Sequence, residues 1–429
     1  MPVGERLGFR TLLRIVPAAV RRDYASTLLV QWFVLGTGLF LFHLVAARGS
    51  VDGFAYYQIA RGTVTTFQPA LLLGLGLGLQ RYLPRTEHTT RRLARHALST
   101  EALVVVGVGL AGAGAGNWIA GLLGLHGGRP AVAAILIMLG GNCLTTVALA
   151  ALRGNQQIVD ANLTFGLGLG LMPLVAFVAA ERIEDFLIIQ GLGAAVVGLW
   201  GTLVVRHRPR TFFKHPEPTI KTLISYGLKR MPGELALPAL YTFPTFAVAV
   251  TMPGDPVAGF VGFTTSAVTL ICSLFAMLTP VLMPRLSRLF HRAGEDAGVR
   301  QLLTALPLAA GLLAAVPTTV IFVFAPALVH GFLGDEFSPA IPVLRLGVLA
   351  AIPMAMFYAA RPTMETLLEA KFLSRLLLAC LALEVVMTCI GTVFFAPQHA
   401  AVLGLAAAAT ALGIDAVWLA GYALRLPRP

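Results

Sequence analysis

Apolar stretches of about 20 residues, the length at which an α-helix crosses the hydrocarbon core of a bilayer, recur along the whole chain. Short polar loops separate them, and no loop is long enough to form a soluble domain. The pattern therefore predicts a chain built of membrane-spanning helices. The twelve predicted spans are 25–46, 54–80, 97–123, 131–152, 161–180, 185–205, 224–251, 258–284, 302–329, 340–360, 374–395 and 401–423.

The composition also indicates a membrane protein. Of the 429 residues, 57% are hydrophobic and only 12% are charged, and the mean hydropathy is +0.80. Soluble domains carry about 25% charged residues. We therefore predict an all-α polytopic membrane protein with about 12 transmembrane helices.

Lysines and arginines concentrate in every second loop. Basic loops such as 81–95 and 206–214 fall on one side of the predicted bundle, whereas the opposite loops hold only Arg48, Arg129 and Arg182. This positive-inside bias predicts that both termini are cytoplasmic. The net charge of +12 then reflects topology and contact with anionic lipid headgroups, and no nucleic-acid partner is expected.

The chain divides into two sets of six spans. Residues 24–205 are the predicted N-lobe and residues 224–429 the C-lobe, joined by a cytoplasmic linker at 206–223. "LQRYLPR" after span 2 and "LMPRLSR" after span 8 agree at three of seven positions, which favours an internal repeat over chance similarity. Such repeats are typical of transporters with a central cavity. Residues 1–23, with arginines at four-residue spacing, are predicted to form a cytoplasmic amphipathic helix.

Motifs for cofactor or metal chemistry are missing from the sequence. The four cysteines lie inside spans without a CxxC pair, so they indicate neither a disulfide nor a metal site. The runs "GLGLGLQR" (74–81) and "GLGLGL" (166–171) favour small-residue helix packing over a phosphate-binding loop, because no strand precedes them. We find no nucleophile–base pair, and no enzymatic activity is predicted.

Charged residues inside the spans are the strongest functional signal, because burying them in a bilayer is costly. Arg61 in span 2 is flanked by Gln58 and Gln68, which predicts a polar, substrate-binding stripe. A guanidinium group binds a diphosphate through paired hydrogen bonds; the alternative is a structural pair between helices. Arg345 in span 10 is a further substrate-binding candidate, although its place near the outer end favours snorkelling to the surface.

Two acidic residues also lie at membrane depth, Glu384 in span 11 and Asp415 in span 12, whereas span 1 contains no acidic residue. An uncompensated carboxylate there binds a proton or another cation. We therefore predict that Glu384 and Asp415 couple transport to H⁺ or Na⁺. The alternative is that either one neutralises an intramembrane arginine.

The start of span 7, "KRMPGELALPALYTFP" (229–244), combines charges with prolines. Proline removes a backbone hydrogen bond and bends a helix, so this segment is a predicted hinge. Lys229 and Arg230 are predicted to contact substrate at the inner cavity mouth, with Glu234 as a further ion-coupling candidate; the two cations also fit ordinary interfacial anchors. The predicted hinge residues are Pro232, Pro238 and Pro244.

Three segments resemble a known family. "GLGLGLQRYLPR" (74–85), "ALRGNQQIVDANL" (151–163) and "SYGLKRMPGELALPAL" (225–240) are similar to polysaccharide-biosynthesis transporters. These are the oligosaccharide-lipid (O-antigen) flippases of the multidrug/oligosaccharidyl-lipid/polysaccharide exporter (MOP) superfamily. The resemblance covers the full chain in span number and loop character.

The resemblance implies two six-helix lobes that form a V-shaped cleft lined by spans 1, 2, 7 and 8. It further implies a bacterial inner-membrane flippase that moves oligosaccharide on undecaprenyl diphosphate to the periplasmic leaflet, with a polysaccharide polymerase and a chain-length regulator as partners. A cation-coupled drug or small-solute exporter of the same superfamily is the main alternative. A polytopic glycan polymerase or ligase is a weaker one, because such enzymes carry catalytic residues on a large outer loop.

Overall fold

The structure is a computed structural model that describes residues 18–85, 90–206, 218–276, 297–367 and 370–423. This part of the chain is helical and contains no strand. The α-helices, in chain order, are α1 (Ala18–Arg48), α2 (Val51–Leu71), α3 (Leu75–Tyr82), α4 (Thr90–Leu122), α5 (Gly128–Gly154), α6 (Ile158–Phe165), α7 (Met172–Ala179), α8 (Ile183–Leu203), α9 (Ile220–Leu228), α10 (Met231–Thr251), α11 (Val257–Ala276), α12 (Ala297–Val323), α13 (Ala325–Phe332), α14 (Ala340–Val348), α15 (Ala351–Leu367), α16 (Ala370–Phe394) and α17 (Pro397–Ala423).

The predicted membrane spans agree with these helices. Eleven segments of the described chain are long and apolar enough to cross a membrane, and the bent pair α2–α3 makes a twelfth. The prediction of about twelve transmembrane helices is therefore confirmed for the described residues. The predicted amphipathic helix before residue 18, the linker residues 207–217 and the repeat motif at 282–288 lie outside them.

Four predicted spans are interrupted: spans 9 and 10 break at Phe324 and at residues 349–350, and spans 2 and 7 break as follows. The single helix predicted over 54–80 breaks between α2 and α3 with a bend of 55°, because Leu73 and Gly74 have positive φ angles of 46° and 73°. Span 7 breaks at Lys229 and Arg230, between α9 and α10. Pro232 lies in the first turn of α10, where its missing N–H costs no helical hydrogen bond.

The helices pack mainly within two groups, the N-half (residues 18–206) and the C-half (residues 218–423). In the N-half, α5 lies between α4 and α8; in the C-half, α17 packs against α15 and α16. The halves meet along α2, which contacts α10 and α11, and where α3 contacts α9. These contacts surround the cavity described below. The division into two lobes at 206–223 stays a prediction.

Glycines allow the closest helix contacts. A Cβ on Gly116 would lie 2.8 Å from the Arg129 side chain on α5, and one on Gly170 would lie 2.5 Å from the Phe33 ring on α1. A Cβ on Gly78 would lie 2.9 Å from the Leu223 Cα atom on α9. Gly78 and Gly170 belong to the runs at 74–81 and 166–171, so the predicted small-residue packing of those runs is confirmed.

Candidate substrate cavity

A cavity of about 570 Å³ lies between the two halves. Its walls come mainly from α1, α2, α10 and α11, which are the predicted spans 1, 2, 7 and 8, and from the segment between α6 and α7. This segment, Gly166–Leu171, is π-helical and packs against α1. The volume is within the range of about 300–1,000 Å³ that is typical of small-molecule sites.

Arg61 extends from α2 into this cavity, half-buried. Its Nη1 atom donates to the Gln58 Oε1 and Ser266 Oγ atoms, both at 3.3 Å, and its Cζ atom lies 4.5 Å from the centroid of the Phe42 ring. No acidic side chain among the described residues forms an ion pair with it. The partners of Arg61 are neutral, so its positive charge is available to a ligand.

Two buried amides on the cavity wall each have one polar atom without a partner in the described structure. Gln58 on α2 and Gln190 on α8 are 3% and 7% exposed, and both line the cavity. The Gln58 Nε2 and Gln190 Oε1 atoms form no hydrogen bond within the described structure. Because buried polar atoms are nearly always paired, the donor and the acceptor both suit a polar ligand next to Arg61.

The third polar residue of the predicted stripe points elsewhere. Gln68 Nε2 donates to the Asn142 carbonyl oxygen at 3.1 Å and to the Thr146 Oγ1 atom at 2.6 Å, both on α5. Gln68 lines a separate cavity of about 300 Å³, together with Glu234. The structure therefore brings Gln58 and Arg61 together and separates Gln68 from them.

The halves touch at one end of the cavity through α3 and α9, an end that we call the basic end because Arg81, Lys229 and Arg230 lie there. A Cβ on Gly227 would lie 2.6 Å from the carbonyl carbon of Gly74. The two backbones are thus in direct contact, which only glycine allows.

The halves also touch at the opposite end, which we call the loop end because it carries the α4–α5 and α10–α11 loops. A Cβ on Gly124 would lie 2.7 Å from the Pro253 Cα atom. Beneath this contact, Phe42 and Phe54 of the N-half pack edge-on against Phe263 and Phe337 of the C-half, with centroid distances of 6.3 Å and 5.2 Å respectively. In this conformation the cleft is therefore bridged at both ends.

The predicted cavity-mouth residues lie where α9 meets α10. Lys229 and Arg230 are exposed at the break between the helices. Glu234 lies 3.9 Å from Arg361, which also contacts Glu365 at 2.6 Å. Glu234 is thus one of two carboxylates around a single arginine.

Neither the predicted hinge prolines nor Arg345 lines the central cavity. Pro238 and Pro244 lie inside α10, which continues through both, and the Pro238 carbonyl oxygen accepts from the Thr242 hydroxyl at 3.1 Å. Arg345 Nε donates to the Phe322 carbonyl oxygen at 3.1 Å and does not line the central cavity. The position of Arg345 fits the snorkelling alternative, while the hinge role stays a prediction.

The two predicted ion-coupling carboxylates lie in the C-half, away from the central cavity. Glu384 on α16 is fully buried, and both of its carboxylate oxygens lack a partner in the described structure, as does the Thr388 hydroxyl one turn later. Asp415 on α17 is half-buried. Both acidic groups lie close to the Cys380 thiol. None of the described ion pairs includes an arginine with either residue.

Glu101 is a comparable residue that the sequence analysis missed. It lies on α4, is fully buried, and both of its carboxylate oxygens lack partners in the described structure. The Cys143 thiol on α5 lies close to it. The predicted span began at residue 97, which put Glu101 at the membrane edge, whereas α4 begins at Thr90. An acidic residue within a few residues of a predicted span end was the available signal.

Known structures share this fold. The chain matches no family model and no curated protein. It is similar to an inward-facing multidrug resistance MATE family transporter of the MOP superfamily, with a TM-score of 0.66 and 15% identity over 92% of this chain and 94% of the other. It is equally similar to the lipid II flippase MurJ in an inward closed conformation, with a TM-score of 0.66 and 12% identity over 93% and 87%.

An outward-facing MATE transporter matches with a TM-score of 0.53 and 13% identity, over 94% of this chain and 96% of the other. At such identities the likeness establishes the fold alone. The chain is a multi-pass helical membrane protein with a MATE- and MurJ-like fold, and these neighbours are transporters or flippases.

Proposed function

We propose that the protein is a flippase for oligosaccharide linked to undecaprenyl diphosphate, which it moves between the two leaflets by alternating access. One observation carries this proposal: Arg61 is the one charged side chain among the described residues that line the central cavity. A cavity with an unpaired guanidinium group and no carboxylate attracts an anion. It disfavours the organic cations that a cation exporter would carry.

The neutral residues around Arg61 suit the rest of such a headgroup. The Gln58 Nε2 and Gln190 Oε1 atoms, which lack partners in the described structure, provide a donor and an acceptor. Hydroxyl groups of Thr269 and Ser273 line the same cavity on α11. Sugar hydroxyls both donate and accept hydrogen bonds, so this wall pairs with a glycan, while Arg61 pairs with the diphosphate. The polyprenyl tail stays in the bilayer.

Substitution of Arg61 tests the proposal. We expect Arg61→Ala to abolish flipping of the lipid-linked glycan in proteoliposomes while the protein inserts at normal levels. Arg61→Lys should restore only part of the activity, because an ammonium group lacks the paired geometry of guanidinium. The matched control is Arg345→Ala, which removes an intramembrane arginine outside the cavity and should leave flipping intact.

Full flipping by Arg61→Ala would refute the substrate role of Arg61. A drug or small-solute exporter is the second candidate, because the MATE transporter and MurJ match the chain with the same TM-score. An assay that separates the two candidates measures efflux of cationic dyes beside flipping of the lipid. Dye efflux that depends on Arg61 without lipid flipping would favour the exporter.

A further inference from the structure

A cluster of aromatic and basic side chains joins the two halves at the basic end. Arg81 on α3 donates from Nη1 to the Tyr226 hydroxyl on α9 at 2.8 Å, and its Cζ atom lies 4.5 Å from the Tyr226 ring centroid. The Arg230 Cζ atom lies 5.4 Å from the same centroid. Tyr82 packs edge-on against Tyr226 at 5.7 Å. One tyrosine ring thus holds two guanidinium groups, one from each half.

The two guanidinium groups lack a counter-charge in the described structure. Neither Arg81 nor Arg230 forms an ion pair there, and the nearby Glu234 pairs with Arg361 instead. Both arginines are exposed, and Arg81 uses one of its five N–H donors on Tyr226. Two like charges on one ring repel each other, and an anion between them relieves this repulsion. Guanidinium donors match phosphate oxygens in geometry.

The cluster exists only while the halves touch. Arg81 follows the bend at Gly74 by two helical turns, and Tyr226 directly precedes Gly227, so the Gly74–Gly227 contact sets the distance between Arg81 and Arg230. When α3 and α9 separate, the two arginines separate with them. A ligand that binds both guanidinium groups therefore stabilises the closed basic end.

We propose that Arg81, Tyr226 and Arg230 form a second binding site, which takes the phosphate groups of a membrane lipid at the mouth of the cleft and closes that mouth on binding. The site is distinct from the central cavity, whose described lining contains none of these residues. It deepens the proposed function and rests on it for the identity of the lipid, while phosphate binding itself is measured without any transport.

The test uses the full-length protein in phosphatidylcholine nanodiscs, with Arg61→Ala as the background so that the central site does not contribute. Farnesyl diphosphate is the probe. Arg81→Gln and Arg230→Gln should each weaken binding by about tenfold, the usual loss for a charge-assisted hydrogen bond. Lys221→Gln is the matched control: it removes an exposed charge from α9 without contact to Tyr226, and should change affinity by less than about twofold.

A distance measurement distinguishes a binding site from a structural contact. Spin labels at Gln80→Cys on α3 and Thr222→Cys on α9, in a Cys389→Ser background, report the separation of the helices. Farnesyl diphosphate should shift this distribution toward the short distance, and Arg81→Gln should abolish the shift. Equal affinity for the probe in Arg81→Gln, Arg230→Gln and Lys221→Gln would overturn the proposal. A distribution of spin-label distances that does not change when the probe is added would overturn it as well.

Two further arms identify the source of the phosphate. Displacement of the probe by inorganic pyrophosphate would show that phosphate chemistry suffices. A loss of probe binding in phosphatidylglycerol nanodiscs that is larger without the Arg81→Gln substitution than with it would show that phospholipid headgroups occupy the same site, because surface repulsion acts equally on both proteins. Either result supports the site. Failure of the proposed function looks different: Arg61→Ala would flip lipid normally while the Arg81 and Arg230 variants still lose the probe.

Discussion

Gly227 offers a way to open the basic end without touching any charged residue. A Cβ there would lie 2.6 Å from the Gly74 carbonyl carbon, whereas carbon atoms in favourable contact are about 3.5–4.0 Å apart. The Gly74 Cα atom would be nearer still, so Gly227→Ala forces α3 and α9 apart by more than about 1 Å. Gly227 lies within α9 and has no positive φ angle, so the effect is steric and not a backbone penalty.

The strain arises only in conformations in which the basic end is closed. Overpacking typically costs about 1–3 kcal/mol, which reduces the ratio of closed to open states by roughly 5- to 150-fold. Gly259→Ala should act at the other end, because a Cβ on this α11 residue would lie 2.8 Å from the Ala55 Cα atom on α2. The two variants should therefore shift the conformational equilibrium in opposite directions.

Labelling of a cavity cysteine measures this shift. Thr269→Cys places a thiol on the cavity wall, and Cys389→Ser removes the one exposed native cysteine among the described residues. With a membrane-impermeant maleimide, Gly227→Ala should increase labelling from the face at the basic end, and Gly259→Ala from the opposite face. Both variants should slow transport, since each hinders one closing step.

Gly76→Ala is the matched control for Gly227→Ala. It adds the same methyl group to α3, where the nearest atom would be the Ala150 Cβ at 3.9 Å, an ordinary contact. Labelling of Gly227→Ala that equals that of Gly76→Ala would refute the reasoning. An increase from the same face in both Gly227→Ala and Gly259→Ala would refute it as well.

Three other predictions address orientation, coupling and the buried acidic residues. Ser338→Cys should react with an impermeant reagent from the periplasm and Thr211→Cys, in a segment outside the described residues, only from the cytoplasm; the reverse pattern would contradict the predicted topology. Glu384→Gln and Asp415→Asn should each remove the dependence of transport on a proton or sodium gradient, and a dependence left intact in both would exclude a coupling role. Glu101→Gln should fold normally. Glu101→Lys should lower the thermal stability, because it places a charge costing about 3 kcal/mol in a site without a described counter-charge. Equal melting temperatures of the two variants would contradict this.

The span pattern and Arg61 were predictable because both follow from the cost of burying polar groups in lipid. Gln58 and Arg61 are three residues apart, so they share a helix face, and they do meet in the cavity. Gln68, seven residues after Arg61, also falls near that face, yet it bonds to α5. Helix periodicity gives the direction of a side chain, but the neighbour that it meets depends on how α2 crosses the other helices.

The contacts between the halves could not be predicted, because they depend on residues far apart in sequence. Ser266, which accepts from Arg61, is separated from it by more than 200 positions. Arg81 and Tyr226 are a similar case. Neither serine nor tyrosine is unusual in its own span, so no local signal marks it as a partner of an arginine.

The hexapeptide "GLGLGL" shows the same limit most directly, because it occurs twice with different structures. At 74–79 it begins with Gly74 in the left-handed region and continues as the helix α3 after a 55° bend. At 166–171 it is π-helical within one span. The first copy packs on Gly227 and Leu223, and the second on Val30 and Phe33. Since the six residues are identical, the conformation is set from outside them, by these neighbours and by the flanking residues, which include Pro173 after the second copy. A larger residue at Gly227, which packs on the first copy, should therefore disturb the first copy and leave the second unchanged.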